Sequence, residues 1–436
     1  MTFDISRYVS HIEANRSVKD ELMARLKDTR PRQRISVTDL VNPRKAFMQR
    51  VHAEIQPPLE RKEAMLAGKG FHDIFGHAVS TEEYLEQFVE WDGVVGVIDV
   101  YNDIPTELKT TSGMDEGQEL GLSRPSYVEQ LAMYCAMVDR HDGRLVLYGR
   151  RSNEAGPSLT VYDAHFDDLE AIRDEMGKRR DALAAALKEN SPAGLPRCPW
   201  LGRGCEFESV CGCGDAPEFV PTIARMSPPL KPNPTEAIRL LSMLETSRPI
   251  RRTGLNDLVF PRKAYYEKLK RAEETDADRL ATIDRMGHGR ALADAIDFGR
   301  GPSSQRKPLN FGDIKDRVTY DHGVPSLLRT TRLNDVVGRE NLTRMFQHMF
   351  TRLAFECALV GSSRGRLILH YEKLQEQSKL MVYDVSFTDL EGLQKEAENR
   401  LLTIREVNEG HRNPRELPPC PEWMRKYCRY QPECGC

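Results

Sequence analysis

Asp99, Glu107 and Lys109 are the residues whose types and spacing first suggest chemistry. Asp99 closes the apolar run Val94-Val95-Gly96-Val97-Ile98, and Glu107 and Lys109 stand in the run Ile104 to Thr110 beyond the turn Tyr101-Asn102-Asp103. Two extended runs flanking a short turn predict a hairpin, which brings both carboxylates to one end of a sheet. Side chains alternate along a strand, so Glu107 and Lys109 share a face while Leu108 turns into the core. Such carboxylates can hold a divalent cation, and the ammonium group can offset negative charge in a transition state. An Asp followed by Glu-x-Lys is common on solvated strands, so the triplet alone decides little. His72, in Gly68-Lys69-Gly70-Phe71-His72 on a predicted helix, offers an imidazole to complete a metal shell. Gln130 and Tyr134 lie four residues apart on the next predicted helix and share one face of it.

Cysteines form the second chemical signal. Eight of the ten fall into two clusters, Cys198, Cys205, Cys211, Cys213 and Cys420, Cys428, Cys434, Cys436. The start Met1-Thr2-Phe3-Asp4-Ile5-Ser6 lacks the basic and apolar regions of an export signal, and no run of eighteen apolar residues occurs, so a cytoplasmic protein without a membrane span is expected. Disulfides are disfavoured in that compartment. Four thiolates per cluster suit either tetrahedral zinc or an iron–sulfur centre. Cys135 and Cys357 sit among apolar neighbours and are expected to pack.

The elements that must position these residues occur twice. Asp39-Leu40-Val41-Asn42-Pro43-Arg44-Lys45-Ala46 returns as Asp257-Leu258-Val259-Phe260-Pro261-Arg262-Lys263-Ala264, and Gly143-Arg144-Leu145 returns as Gly365-Arg366-Leu367. Val161-Tyr162-Asp163 returns as Val382-Tyr383-Asp384, and the cysteine clusters close both copies. Self-similarity in this order marks a tandem repeat. It predicts an N-terminal helical segment at 1–34, related domains at 35–214 and 253–436, and a proline-rich linker at 215–252. Within a copy, the order of predicted helices and strands implies an α/β or α+β fold, helices packed on a mixed sheet.

Charge is uneven between the halves. Residues 221–436 carry 36 Lys+Arg against 29 Asp+Glu, a balance of +7, and residues 1–220 a balance of −10. An acidic first half fits carboxylates gathered around cations, and a basic second half fits phosphate contacts.

The ordered set of a helix His, a strand Asp, Glu-x-Lys, a Gln-x-x-x-Tyr helix and trailing cysteines resembles the RecB-type branch of the PD-(D/E)XK nuclease superfamily. That branch includes AddB-like nuclease domains and the iron–sulfur exonucleases of CRISPR adaptation. The resemblance covers roughly residues 35–214. It implies a restriction-endonuclease-like domain in which His72, Asp99 and Glu107 bind Mg²⁺ or Mn²⁺, Lys109 activates water and steadies phosphate, and Gln130 and Tyr134 support the site or hold the DNA backbone. It further implies a DNA exonuclease or end-processing enzyme whose cysteines hold two 4Fe-4S clusters. The family usually places one cysteine ahead of the core, where this chain has Asn42 and Phe260, so structural zinc remains the alternative. No Gly-x4-Gly-Lys-Ser/Thr helicase loop is present, so unwinding would fall to a helicase, recombinase or integrase partner.

In the second copy the same positions read Ala291 for His72, Leu327 for Glu107, Arg329 for Lys109, and Arg352 and Glu356 for Gln130 and Tyr134. Thr319 matches Asp99 best, with Asp321 close enough to leave the register open. A pseudonuclease is expected, with Arg329 and Arg352 binding DNA phosphate through their planar guanidinium groups. A purely non-catalytic assembly subunit is the competing expectation.

Overall fold

The computed structural model describes residues 3–28, 33–111, 119–152, 156–198, 205–246, 253–269, 274–421, 424, 428 and 430–434. The first half of the chain contributes strands β1 (Val9–Ala14), β2 (Ile35–Ser36), β3 (Leu85–Trp91), β4 (Val94–Asn102), β5 (Ile104–Thr111), β6 (Asp142–Ser152) and β7 (Gly156–His165). The second contributes β8 (Lys231–Pro232), β9 (Ser304–Phe311), β10 (Ile314–Asp321), β11 (Val324–Thr331), β12 (Arg364–Tyr371) and β13 (Leu380–Phe387). They form two mixed sheets, ordered β2-β4-β5-β6-β7-β8 with β3 on β4, and β1-β13-β12-β11-β10-β9. Helices flank both, so the expected mixed α/β class is what the chain adopts.

The chain divides into a larger unit, Lys27–Arg248 with Glu274–Ala291, and a smaller unit, Met1–Leu26 with Pro249–Glu273 and Leu292–Cys436. These boundaries correct the expected domains in three places. The leading segment is helical only in part and is not separate: the helix Arg16–Lys27 follows β1, which pairs antiparallel with β13 and extends the smaller unit's sheet. The proline-rich stretch is not a plain linker, because β8 pairs with β7 and the helix Pro234–Thr246 follows it. Pro234 stands at the first turn of that helix, where its missing N–H costs nothing. Lastly, residues 274–291 of the second copy belong to the larger unit. An open sheet edge and an uncovered apolar face both need partners, and these segments provide them.

Inside the larger unit the helix Pro125–Met137 lies in the main core with Val94, Ile98, Leu145 and Leu147. The repeated cysteine of this helix has a packing role, as expected. A Cβ added to Gly143 would fall 2.7 Å from the Cys135 sulfur, and one added to Gly365 would fall 2.7 Å from that of Cys357. Each copy therefore seats a buried thiol against a strand that must carry glycine.

Arginine explains the other repeated anchor. Arg44 is buried and donates to the carbonyl oxygens of Pro192 (2.8 Å), Leu195 (2.8 Å) and Cys211 (2.7 Å). Arg262 does the same to Arg415 (2.7 Å), Leu417 (2.6 Å) and Cys434 (3.5 Å). A guanidinium can tie several carbonyls at once, so the Pro-Arg-Lys motif fastens each cysteine segment to its own core.

Candidate active site

Sheet register and one helix turn bring the predicted residues of the first copy together. β4 and β5 form the expected hairpin, pairing Val100 with Thr106 and Tyr101 with Pro105. Asp103 takes the left-handed conformation of the turn, φ 66°, which Asp tolerates better than most side chains. The Leu108 N–H donates to Asp99 Oδ2 at 2.8 Å, fixing that carboxylate beside the Glu-x-Lys strand. Parallel pairing then sets Glu107 beside Leu145 and Lys109 beside Leu147.

His72 arrives from the helix Leu59–Val79. Its neighbour Phe71 is buried and stacks on Tyr148, centroids 4.0 Å apart and rings 3° from parallel. That stack fixes the helix on the sheet, and His72 Nδ1 comes 3.6 Å from Asp99 Oδ1. From the opposite layer, Gln130 accepts a hydrogen bond from Lys109 Nζ (2.7 Å) and donates through Nε2 to Tyr134 Oη (3.2 Å). The Tyr134 ring lies over Gly96, where a Cβ would come within 2.6 Å of it. Lys109 also donates to Glu107. All six predicted residues thus meet.

Electrostatics separates the two carboxylates. Burial pushes Glu107 up to about 7, against the pull of Lys109. Burial acts on Asp99 as well, but the His72 imidazole and Lys109 hold it below its ordinary value. Lys109 is held above its ordinary value despite burial, chiefly by Glu107 and Asp99. Opposed shifts on neighbouring carboxylates are a mark of functional sites, although structural ion pairs also produce them.

The donor set suits a hard divalent cation. His72 Nε2 and Glu107 Oε2 are buried and have no hydrogen-bond partner, an unfavourable state that coordination would relieve. Among the described residues no three His, Cys, Asp or Glu side chains stand as a ready metal cage. The Lys109 ammonium occupies one oxygen of Glu107 instead.

Cys198, Cys205, Cys211 and Cys213 gather in one cluster with Phe47 and Phe207, without disulfides. The Cys198 N–H donates to Cys213 Sγ at 3.1 Å. Burial and the neighbouring Cys213 push the Cys198 thiol up to about 12. The four thiols share this cluster but do not converge as a formed metal cage. Of the second set, Cys420 and Cys434 are buried, Cys428 is half-buried, and Cys436 lies outside the described residues.

A feature that sequence reading missed is a groove of about 770 Å³ that runs from Lys109, Gln130 and Tyr127 to Cys198 and Cys205, lined also by Lys45, Arg61 and Lys62. Lys109 Nζ lies 5.6 Å from the Tyr127 ring centroid. Lys45 was visible in the repeated motif, but nothing in the sequence placed it near Lys109.

No protein-family model matches the chain, and no curated protein matches it. A solved structure described as "Crystal structure of SSO0001" aligns with 45% of this chain and 94% of its own, at 20% identity and a TM-score of 0.31. That likeness is too slight to carry an argument. No helix among the described residues is long and apolar enough to cross a membrane.

The equivalent place in the smaller unit has been rebuilt as an ion-pair network. Thr319 follows buried Val318 as Asp99 follows buried Ile98, and Leu327 is buried. Asp321 is committed elsewhere, accepting from Arg366 Nη1 at 2.7 Å. Arg352 corrects its expected role in DNA binding. It is buried, and all three of its nitrogens are engaged, Nε with Glu356 (2.5 Å), Nη2 with Asp316 (3.1 Å) and Nη1 with Asn256 (3.4 Å). Arg329, in the lysine position, donates to the Leu328 carbonyl (2.9 Å) and makes no ion pair with the described residues. Burial and nearby Arg352 push it down to about 10.

Proposed function

We propose that the first-copy site hydrolyses phosphodiester bonds in DNA, as an exonuclease or end-processing nuclease of the RecB-type PD-(D/E)XK kind. The observation that carries this reading is the meeting of His72, Asp99, Glu107 and Lys109 at one point, with Gln130 and Tyr134 bracing the lysine. His72, Asp99 and Glu107 are the residues that would hold Mg²⁺ or Mn²⁺. Such an ion polarises phosphate and lowers the pKa of water.

The remaining roles belong to the chain itself. Water forms a bond to phosphorus and the bridging P–O bond breaks, leaving a hydroxyl on one fragment and a phosphate monoester on the other. Lys109 orients the entering oxygen and offsets the charge that accumulates on phosphate. Gln130 fixes the lysine through its Oε1, and Tyr134 fixes Gln130. The groove beside Lys109 offers Lys45, Arg61 and Lys62 to a polyanion, although Lys45 and Arg61 are shared with Glu206.

The test is cleavage of end-labelled single- and double-stranded DNA by the full chain with Mn²⁺ and with chelator. Cleavage that needs the metal and disappears in Lys109→Ala supports the proposal. Cleavage that survives in both Lys109→Ala and Asp99→Ala rejects this site.

A further inference from the structure

The repeat extends beyond the copies that the sequence anchors define. With a constant offset of 218, Ile5 matches Ile223, Arg7 matches Arg225, Asn15 matches Asn233, Leu22 matches Leu240 and Leu26 matches Leu244. The equivalence is structural. The Asn15 N–H donates to the Val382 carbonyl (2.9 Å), and the Asn233 N–H donates to that of Val161 (2.8 Å). Asn15 Nδ2 donates to Asp384 Oδ2 (2.7 Å), and Asn233 Nδ2 to Asp163 Oδ2 (2.5 Å). Each asparagine also accepts a free first-turn N–H of its helix, from Val18 (3.0 Å) and Glu236 (2.9 Å). The leading segment and the proline-rich stretch are therefore the same element twice.

Their placement is crossed. The first copy's Ile5 is buried in the core built on the second copy's strands, and the second copy's Ile223 is buried in the core built on the first copy's. The second copy gives the larger unit still more. Ala237, Leu240, Leu244 and Leu280 pack on Phe71, Phe75, Leu108 and Tyr148. That layer lies under the Glu107-Leu108-Lys109 strand and the helix of His72. Gly287 lies against Gly70, two residues before His72, and Arg290 pairs with Asp73 at 3.0 Å.

We propose that the two copies form an obligate exchanged pair, in which the second copy supplies the edge strand and the supporting helices of the unit holding His72, Asp99, Glu107 and Lys109. Each copy is the other's partner, as in a swapped homodimer joined into one chain. Gly287 is a positioning residue for the helix of His72. Only this last role rests on the proposed nuclease reading. The exchange does not.

A protease site placed within residues 217–220 of the full chain, where the two copies meet, tests the exchange. After cleavage in native buffer, the two fragments are expected to elute together at the mass of the intact chain and to part only in denaturant. Folded fragments that separate in native buffer would overturn the proposal. Gly287→Ala and Gly289→Ala test the positioning role, because a Cβ at 287 would lie 2.3 Å from the Gly70 carbonyl carbon while one at 289 meets nothing within 4 Å. Gly287→Ala should lower Tm and cut metal-dependent cleavage at least tenfold, with Tm and rate unchanged or raised in Gly289→Ala. Equal behaviour of the two variants would remove Gly287 from any such role. Were no variant or parent to cleave DNA, the nuclease reading would fail, and fragment association would still decide the exchange.

Discussion

Gly70 and Gly287 meet backbone to backbone: a Cβ on Gly70 would lie 2.0 Å from the Gly287 carbonyl oxygen. Real Cβ atoms do not approach so closely, so neither helix can carry a side chain there without moving. Phe71, next in sequence, is locked against Tyr148 by stacking, and helix displacement would pull on that contact as well. Gly70→Ala is expected to destabilise the protein by about 1–3 kcal/mol, the usual range for overpacking, although alanine ordinarily favours a helix. Thermal unfolding of Gly70→Ala beside the parent checks it, and an unchanged Tm would count against the close crossing.

Lys109→Ala and Asp99→Ala should each reduce DNA cleavage by about 10²–10³-fold or more, by analogy with removing one transition-state donor. Lys109→Ala also leaves Glu107 buried without its cation. Unfolding curves should accompany the rates, so that lost chemistry is separated from lost fold.

Arg44→Met should release the cysteine segment. The guanidinium bonds three carbonyls, one of them at Cys211, and hydrogen bonds to a charged group contribute about 1.5–3 kcal/mol. Metal per chain, measured as iron and zinc on protein purified without oxygen, should fall towards half. If instead the full metal content persists, the anchor does not hold the centre. The parent's metal identity, brown iron–sulfur or colourless zinc, comes from the same preparation.

Arg352→Ala and Arg329→Ala should differ in kind. Losing Arg352 leaves Glu356 buried without its ion-pair partner, a change that costs about 3–5 kcal/mol in buried pairs. Arg329 has no carboxylate to strand, so its loss should spare stability and weaken DNA binding, with a shallower dependence of affinity on salt. Chemical denaturation and DNA titration at several salt concentrations distinguish the two, and the reverse pattern would undo the assignment.

His348 supplies a pH marker for the same pocket. Burial first, and Arg329 second, push it down to about 4 from an ordinary 6.5. Because the folded value lies below the unfolded one, its neutral form is favoured by folding. The stability it contributes is present above about 6.5 and is lost as pH falls from there towards 4. Imidazole resonances of labelled protein should show one histidine titrating near 4, moving upward in Arg329→Met. A histidine at 348 that titrates normally would mean that the pocket is wet.

The sequence by itself determined which residues share a face at the candidate site, and the duplication. Residue types at Asp99, Glu107 and Lys109, the alternation along their strands, and the one-turn spacing of Gln130 and Tyr134 were enough to place them on shared faces, because those periodicities are local properties of the backbone. The loss of Glu107 and Lys109 equivalents at Leu327 and Arg329 was equally plain, since the Pro-x-x-Leu-x-Thr-Thr run fixes their register. What the tertiary structure decided was partnership. Arg352 looked like a phosphate ligand until folding set Asp316 and Glu356 beside it, 36 residues and one helical turn away. The exchange of β1 and β8 was hidden for a deeper reason. Strand pairing is made by backbone N–H and C=O groups that every residue carries, so a short edge strand does not announce which of two related sheets it will join. That choice follows from how the whole chain closes its open edges and covers Phe71, Leu108 and Tyr148, and no window of sequence contains it.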